Sequence, residues 1–373
     1  MIEKKMLFTP GPVMTSDAVK SVLLQPDIPH RQPVFEGYVR SLRAQLLRLF
    51  RADDAYTAVV ITGSGTAANE TALSSIFKTG EGILLLKNGE FGDRLQSILD
   101  CYQLPVTTLD FGWAGAYDLE RIEAELAAHP GVRWICMVYH ETSTGMLNPA
   151  GAVGALATRH QVRLFADCVS AVGGEPVDVV GDGIDVCTGV PNKSVAGLPG
   201  VSFVCARRAR VPALGADVPR RNIYLNLQQH IEWSDQADQT PNTPAVTMFV
   251  ALEAALRELF SEGLEARQGR YRECARLIRD GLEAMGLRLL LPPEQRSNTV
   301  TSAFLPPGVN VSEFIAQLDR RGFVVYPGKG PFLAQNMFQV ANMGWILPDD
   351  CRTLLREISA TIESVRRPHG AEA

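Results

Sequence analysis

Three places in this sequence hold residue types suited to carbonyl chemistry. Lys193 lies in Thr188-Gly189-Val190-Pro191-Asn192-Lys193-Ser194, just ahead of the glycine-rich turn Gly197-Leu198-Pro199-Gly200. An amine held in such a loop among small neighbours loses hydration, its pKa falls, and it becomes able to form an imine with a carbonyl compound. The competing reading is an ordinary solvated lysine. Asp167 closes the apolar run Leu164-Phe165-Ala166, where a carboxylate is costly without a positive partner. A protonated ring nitrogen is one such partner; capping the turn that begins at Cys168-Val169-Ser170 is the alternative role. Ile61-Thr62-Gly63-Ser64-Gly65-Thr66-Ala67-Ala68 has the pattern of a strand end, a small-residue turn and a helix start. That pattern turns backbone N–H groups and the hydroxyls of Ser64 and Thr66 toward an anion such as phosphate.

The same turn also satisfies a plain N-cap and the dinucleotide fingerprint G-x-G-x-x-A, which makes a nicotinamide-dependent dehydrogenase a competitor. Against the dehydrogenase, the strand is not the first element of the chain. The strand that follows, Gly82–Leu86, runs into Lys87-Asn88 rather than into an acidic residue. Two weaker signals complete the set. Phe91 could stack on a cofactor ring or simply fill a core, and Thr142 with Ser143 could hydrogen-bond a ring oxygen or close the turn Glu141–Gly145. The order is phosphate turn, aromatic, hydroxyl cluster, aspartate, lysine, each at or just past a strand end. This order points to pyridoxal 5′-phosphate (PLP), whose ring draws electrons more strongly when a carboxylate keeps its nitrogen protonated.

The elements that must position these residues are an alternation of short apolar runs and helical patterns. Strands are expected at Ala58–Thr62, Gly82–Leu86, Pro105–Thr108, Trp134–Tyr139, Arg163–Ala166, Val186–Thr188 and Val201–Cys205. Helices are expected at Gly65–Phe77, Arg94–Tyr102, Leu119–Ala128 and Ala150–His160. Such alternation predicts an α/β fold with a mostly parallel, covered, seven-stranded sheet, whose strand C-termini converge on one ligand crevice. Beyond Thr243 the pattern changes to two long helices, Ala245–Glu262 and Leu264–Met285, and then a smaller α+β module. Its strands are expected at Leu287–Leu291, Val300–Phe304 and Phe323–Tyr326, and its helices at Val311–Arg320 and Asp349–Arg366. The expected division is an N-terminal segment 1–20, a large cofactor-binding domain 21–250 and a small C-terminal domain 251–373.

Of 373 residues, 46% are hydrophobic and 21% charged, with a formal net charge of -5, so there is no basic excess to favour nucleic acid as a partner. No run reaches the ~18 apolar residues of a membrane span, and the first residues lack a signal peptide's apolar stretch; the expected location is the cytoplasm. Seven scattered cysteines without a CxxC pair argue against a disulfide framework or a metal cage.

Taken together the motifs resemble the class V, fold type I PLP aminotransferases, most closely the 2-aminoethylphosphonate:pyruvate aminotransferases. The likeness runs through Phe8-Thr9-Pro10-Gly11-Pro12, Gly63-Ser64-Gly65-Thr66, Asn88-Gly89-Glu90-Phe91-Gly92-Asp93-Arg94, His140-Glu141-Thr142-Ser143-Thr144-Gly145, Asp167, Asn192-Lys193 and Tyr326-Pro327-Gly328-Lys329. The resemblance implies Lys193 as Schiff-base lysine and proton shuttle, Asp167 as partner of the ring nitrogen, Ser64-Gly65-Thr66 as phosphate cradle, Phe91 as stacking residue and Thr142 on the ring oxygen. It also implies a homodimer with shared active sites, Thr240 and Thr243 reaching the neighbouring subunit's phosphate or substrate, and small-molecule partners, an amine and an oxo acid.

Two positions depart from the family pattern. Where relatives carry an arginine that forks onto the substrate's carboxylate or phosphonate, this chain has Gln339, which lacks both the charge and the bidentate geometry. Proline also stands before the lysine segment, in Val190-Pro191-Asn192-Lys193. Ser16 and Arg31 are assigned to the substrate side with Gln339, and Arg31, Arg220 or Arg221 could supply the missing charge. The expected activity is transfer of an amino group from 2-aminoethylphosphonate or a related amine to an oxo acid such as pyruvate. A PLP lyase is the runner-up and a PLP-binding protein without turnover the third reading.

Overall fold

The computed structural model describes residues 4–366. Its centre is a seven-stranded sheet built from β1 (Tyr56–Thr62), β2 (Gly82–Lys87), β3 (Val106–Asp110), β4 (Val132–Val138), β5 (Arg163–Asp167), β6 (Val186–Gly189) and β7 (Val201–Arg207), in the order β1-β7-β6-β5-β4-β2-β3. All neighbours are parallel except β7, which runs antiparallel to β1 and β6. All seven expected strands are present.

These strands read as unbroken apolar runs because both faces are covered. Val60, Leu84, Ile135, Met137 and Ala166 pack on one side with helices Pro33–Leu49, Ala150–Arg159 and Val246–Glu262. Their sequence neighbours Val59, Ile83, Trp134, Cys136 and Phe165 pack on the other with Gly65–Leu73 and Glu90–Cys101. Alternate residues of one strand thus enter two separate cores, as the pleat requires.

A second antiparallel sheet, β8 (Arg288–Leu289), β9 (Val300–Phe304), β10 (Tyr326–Pro327) and β11 (Met337–Ala341), has the order β8-β9-β11-β10. It packs on helices Leu264–Ala284, Val311–Arg320 and Pro348–Arg366 around Phe314, Phe338 and Ile358. The N-terminal segment joins this smaller unit: Met6–Leu7 pairs in parallel with Phe323–Val324, and Phe8 is buried in its core. The division drawn at residues 250/251 falls inside the single helix Val246–Glu262, whose Phe249, Leu252, Leu256 and Leu259 all enter the large core.

Three helices, Asp17–Ser21, Pro33–Leu49 and Leu227–Ala237, were not expected from the sequence pattern. Another begins earlier than expected. Helix Glu90–Cys101 starts four residues before Arg94 because the buried Glu141 carboxylate, from a different element, accepts hydrogen bonds from the Phe91 and Gly92 amides at 3.2 Å each. A cap supplied from fifty residues away leaves no local signature.

Candidate active site

The C-terminal ends of β1 and β5, the loop after β6 and the start of helix Glu90–Cys101 enclose an open cleft of about 430 Å³. Ser64, Gly65, Thr66, Phe91, Asp167 and Lys193 all line it, joined by Asn69, Arg94 and Lys329. Six residues singled out from separate stretches of sequence are therefore brought to one place.

At one end, helix Gly65–Leu73 points its N-terminus into the cleft. Ser64 occupies the N-cap in extended conformation, and its side chain makes no capping bond, so its hydroxyl and the first-turn amides remain available to an anion. Gly65 is required here by close approach: a Cβ would lie 2.9 Å from both methyls of Val169 and 3.2 Å from Val190.

Asp167, at the tip of β5, is only 4% exposed. Its Oδ1 accepts from the Val169 amide at 2.9 Å and its Oδ2 from Asn69 Nδ2 at 2.7 Å. Asn69 is held in turn by Thr188, whose hydroxyl donates to Asn69 Oδ1 at 2.6 Å; Thr188 is the register partner of Asp167 on β6. Burial pushes the Asp167 carboxyl above its ordinary range, opposed by these two hydrogen bonds and by the fields of Lys193 and Arg94. A cation placed against the carboxylate would oppose it further.

Lys193 donates from Nζ to the Pro10 carbonyl at 2.6 Å. Burial lowers its pKa to about 8; Asp167 acts the other way, and the positive charges of Lys329 and Arg94 add to the lowering. At neutral pH a usable fraction of this amine is unprotonated. Its nitrogen lies 5.8 Å from the centroid of the Phe91 ring. That ring is fixed by Glu141, which holds the helix start and also accepts from Ser143 Oγ. Gly89 must be glycine for this contact, since a Cβ there would come within 2.6 Å of the Glu141 side chain.

Thr142 is buried behind the cleft, its hydroxyl donating to Ser170 Oγ. Gln339, on β11, is 1% exposed. Its amide nitrogen donates to the Thr142 and Ser143 carbonyls at 3.0 and 3.1 Å and lies 3.0 Å from Ser302 Oγ. Gln339 thus ties the small sheet to the loop that carries Thr142.

The other residues considered for the site do not line this cleft within one chain. Arg31 clasps the segment Gln239–Pro241 through three hydrogen bonds and lies over Trp233. Ser16 caps a short helix and donates to Glu258. Thr240 is buried and donates to the Asn242 carbonyl, whereas Thr243 is exposed. Arg221 is bonded to the Ser74 and Phe77 carbonyls. Asn69, Arg94 and Lys329 in the cleft, with Thr188 and Glu141 behind it, are residues to which sequence reasoning gave no role. For Asn69, a polar residue among alanines on the buried side of a helix was the available signal.

This fold and site define an α/β enzyme with a lysine amine and a carboxylate lining one cleft at the C-terminal ends of its strands. Residues 27–346 match the family Aminotransferase class-V, and the chain belongs to that family. It is 35% identical over 361 residues, 94% of this chain and 93% of the relative, to a 2-aminoethylphosphonate--pyruvate transaminase of Aeromonas hydrophila. It is 34% identical over 355 residues, 94% of each chain, to a protein of that name from Syntrophobacter fumaroxidans. Among solved structures, ureidoglycine-glyoxylate aminotransferase from Bacillus subtilis superposes with a TM-score of 0.90 at 26% identity, covering 100% of this chain and 96% of that one.

Proposed function

We propose that this aminotransferase is PLP-dependent and homodimeric, and that it moves the amino group of 2-aminoethylphosphonate or a closely related small amine to an oxo acid such as pyruvate. The observation that carries the reading is the pairing, in one cleft, of the buried low-pKa amine of Lys193 with the buried carboxylate of Asp167. The names of the relatives support the substrate.

The residues fit the cofactor. The uncapped helix start at Ser64-Gly65-Thr66 would take its phosphate, Asp167 its ring nitrogen, Phe91 its ring face and Lys193 its carbonyl carbon. When bound, PLP supplies an aldehyde that captures the amine and a protonated ring that accepts the electron pair left by C–H cleavage. The protein's own work is to hold and move protons. Asp167, kept in orientation by Asn69 and the Val169 amide, would hold a proton on the ring nitrogen. Lys193 Nζ, with its pKa lowered to about 8, would take the proton from the amine-bearing carbon, a role that a pKa near operating pH suits. Homodimerisation is supported by exposed apolar side chains at Leu24, 89% exposed, and Ile223, 73% exposed, and by the family likeness, in which Thr240 and Thr243 serve the neighbouring site.

One observation favours a second reading. The side chain at 339 is a glutamine whose amide is spent on backbone carbonyls, so the family's arginine anchor is missing and a PLP lyase acting on a related amine is the alternative. Incubating the purified, PLP-loaded protein with 2-aminoethylphosphonate separates the two. An aminotransferase stops after one equivalent until pyruvate is added and then forms alanine; a lyase turns over continuously without it. No amine consumed in either condition would overturn both readings.

A further inference from the structure

With Gln339 committed to carbonyls and Arg31 to the Gln239–Pro241 segment, the positive side chains that line the cleft are Lys193, Arg94 and Lys329. Lys193 is needed for the chemistry. Arg94 and Lys329 share one carboxylate: Lys329 Nζ lies 2.9 Å from Glu90 Oε2, and Arg94 Nη2 lies 3.3 Å from Glu90 Oε1. The two differ in where they come from. Arg94 belongs to the same helix as Glu90 and lies over the Phe91 ring, with its guanidinium carbon 4.7 Å from the centroid. Lys329 reaches in from the smaller unit. It lies two residues past the end of β10, whose Tyr326 is the register partner of Gln339 on β11.

From this arrangement we infer that Lys329 receives the anionic end of the amine substrate, in place of an arginine at 339, by exchanging Glu90 for the substrate's phosphonate or carboxylate. The inference rests on the proposal that the substrate is a short amine with an anionic tail. Lys193 and Lys329 line the same cleft, and their Nζ atoms lie 5.8 and 5.5 Å from the same Phe91 centroid, so both ammonium groups face the space in which a short amine would sit. The exchange leaves no charge stranded, because Glu90 stays paired with Arg94 when Lys329 turns away. Little is lost in breaking the resting pair, since Lys329 and Glu90 side chains are 37% and 32% exposed and such pairs are weak. A single ammonium supplies a point charge where a guanidinium would supply a planar fork, so the site tolerates phosphonate and carboxylate tails more evenly than an arginine site would.

The test uses the PLP-loaded enzyme and two variants, Lys329→Gln and Lys329→Arg. The first readout is the dissociation constant of ethylphosphonate, which has the anionic tail and no amine, by titration calorimetry. The second is kcat and KM for 2-aminoethylphosphonate against n-propylamine. The expected result is that Lys329→Gln weakens ethylphosphonate binding roughly tenfold or more and raises the KM for 2-aminoethylphosphonate with a smaller change in kcat. The preference over propylamine narrows, and Lys329→Arg restores most of the binding. Ethylphosphonate binding that is absent from the wild type, or equal in wild type and Lys329→Gln, overturns the inference. Lys329-dependent binding in an enzyme that transaminates none of these amines upholds the anion site and sinks the proposed substrate instead, so the two failures are distinguishable.

Discussion

The two walls of the cleft are built on opposite plans. On the large-domain wall, Asp167, Asn69 and Thr188 form a chain of buried hydrogen bonds in which each polar group is held by the next, and the buried Glu141 carboxylate separately holds the Phe91 and Gly92 amides. On the small-domain wall, the buried polar residue Gln339 faces backbone carbonyls, and the charged residue Lys329 sits half-exposed in an exchangeable ion pair. A preorganised wall suits a step that is the same for every substrate, since dipoles fixed in advance need no reorganisation as charge develops. A wall of exchangeable contacts suits recognition of whatever the substrate carries at its other end. The difference predicts that substitutions on the first wall change rate, and those on the second change preference and stability.

The largest effect expected on the rate side is that of Asp167→Asn. The substitution keeps the size and removes the charge, so it leaves the cofactor's ring nitrogen without its anionic partner. We expect kcat/KM for the best amine to fall on the order of 10²–10⁴-fold, measured at saturating PLP so that loss of cofactor is not the cause. A fall of less than about tenfold would mean the two walls do not divide the work in this way.

Next comes Asn69→Ala. Asn69 touches Asp167 at 2.7 Å and Thr188 at 2.6 Å, so it acts by positioning. Loss of a hydrogen bond to a charged group, about 1.5–3 kcal/mol, predicts a drop of ~10–100-fold in kcat with little change in KM. Asn69→Asp supplies a diagnostic contrast, because a second carboxylate beside Asp167 raises the pKa of the pair and shifts the acid limb of the pH–rate profile upward. A purely structural role would lower thermal stability without moving that limb.

Lys193 gives the pH dependence on this wall. Burial, reinforced by Lys329 and Arg94, lowers its pKa to about 8. The neutral, nucleophilic amine therefore accumulates as pH rises through about 8, and below that its fraction falls about tenfold per unit. The rate of PLP capture by the cofactor-free protein, followed by visible absorbance between pH 6 and 9.5, should rise and level off near pH 8–9. A rate still climbing steeply at pH 9.5 would place the amine at its ordinary pKa and remove the link between burial and reactivity. In Lys329→Gln one of the lowering charges is gone, so the same midpoint should move to higher pH.

The contrast between the walls also explains what could be read from sequence. The seven strands, Gly65 at the helix start and Asp167 at a strand end were legible because apolar run length and the polar residue that stops each run are local patterns. Asn69, Thr188 and Glu141 were not, because their roles exist only through partners on other elements; Glu141 caps a helix that begins fifty residues earlier in the chain. The same reason accounts for the arginines. Arg31 and Arg221 have the right charge, but whether a guanidinium meets a substrate or a backbone carbonyl depends on packing that no spacing encodes. For Gln339, sequence showed what was missing from the substrate wall, and only the structure showed what the amide does in its place.

Gln339→Leu probes the second wall at its buried end. Removing the amide leaves the Thr142 and Ser143 carbonyls without their donor at a site that is 1% exposed in the parent. Each unsatisfied buried group costs ~1–3 kcal/mol; relaxation of the loop and the apolar leucine offset part of this. We expect a net loss of ~1–3 kcal/mol, seen as a lower urea midpoint at unchanged m-value. The ratio of kcat/KM for 2-aminoethylphosphonate to that for n-propylamine should stay within about threefold of the parent, because Gln339 carries no charge and its donors face the protein. A stable Gln339→Leu protein that lost this preference would make Gln339 the substrate anchor after all, and the division into a rate-setting wall and a preference-setting wall would then have to be redrawn with Gln339, not Lys329, at the point of recognition.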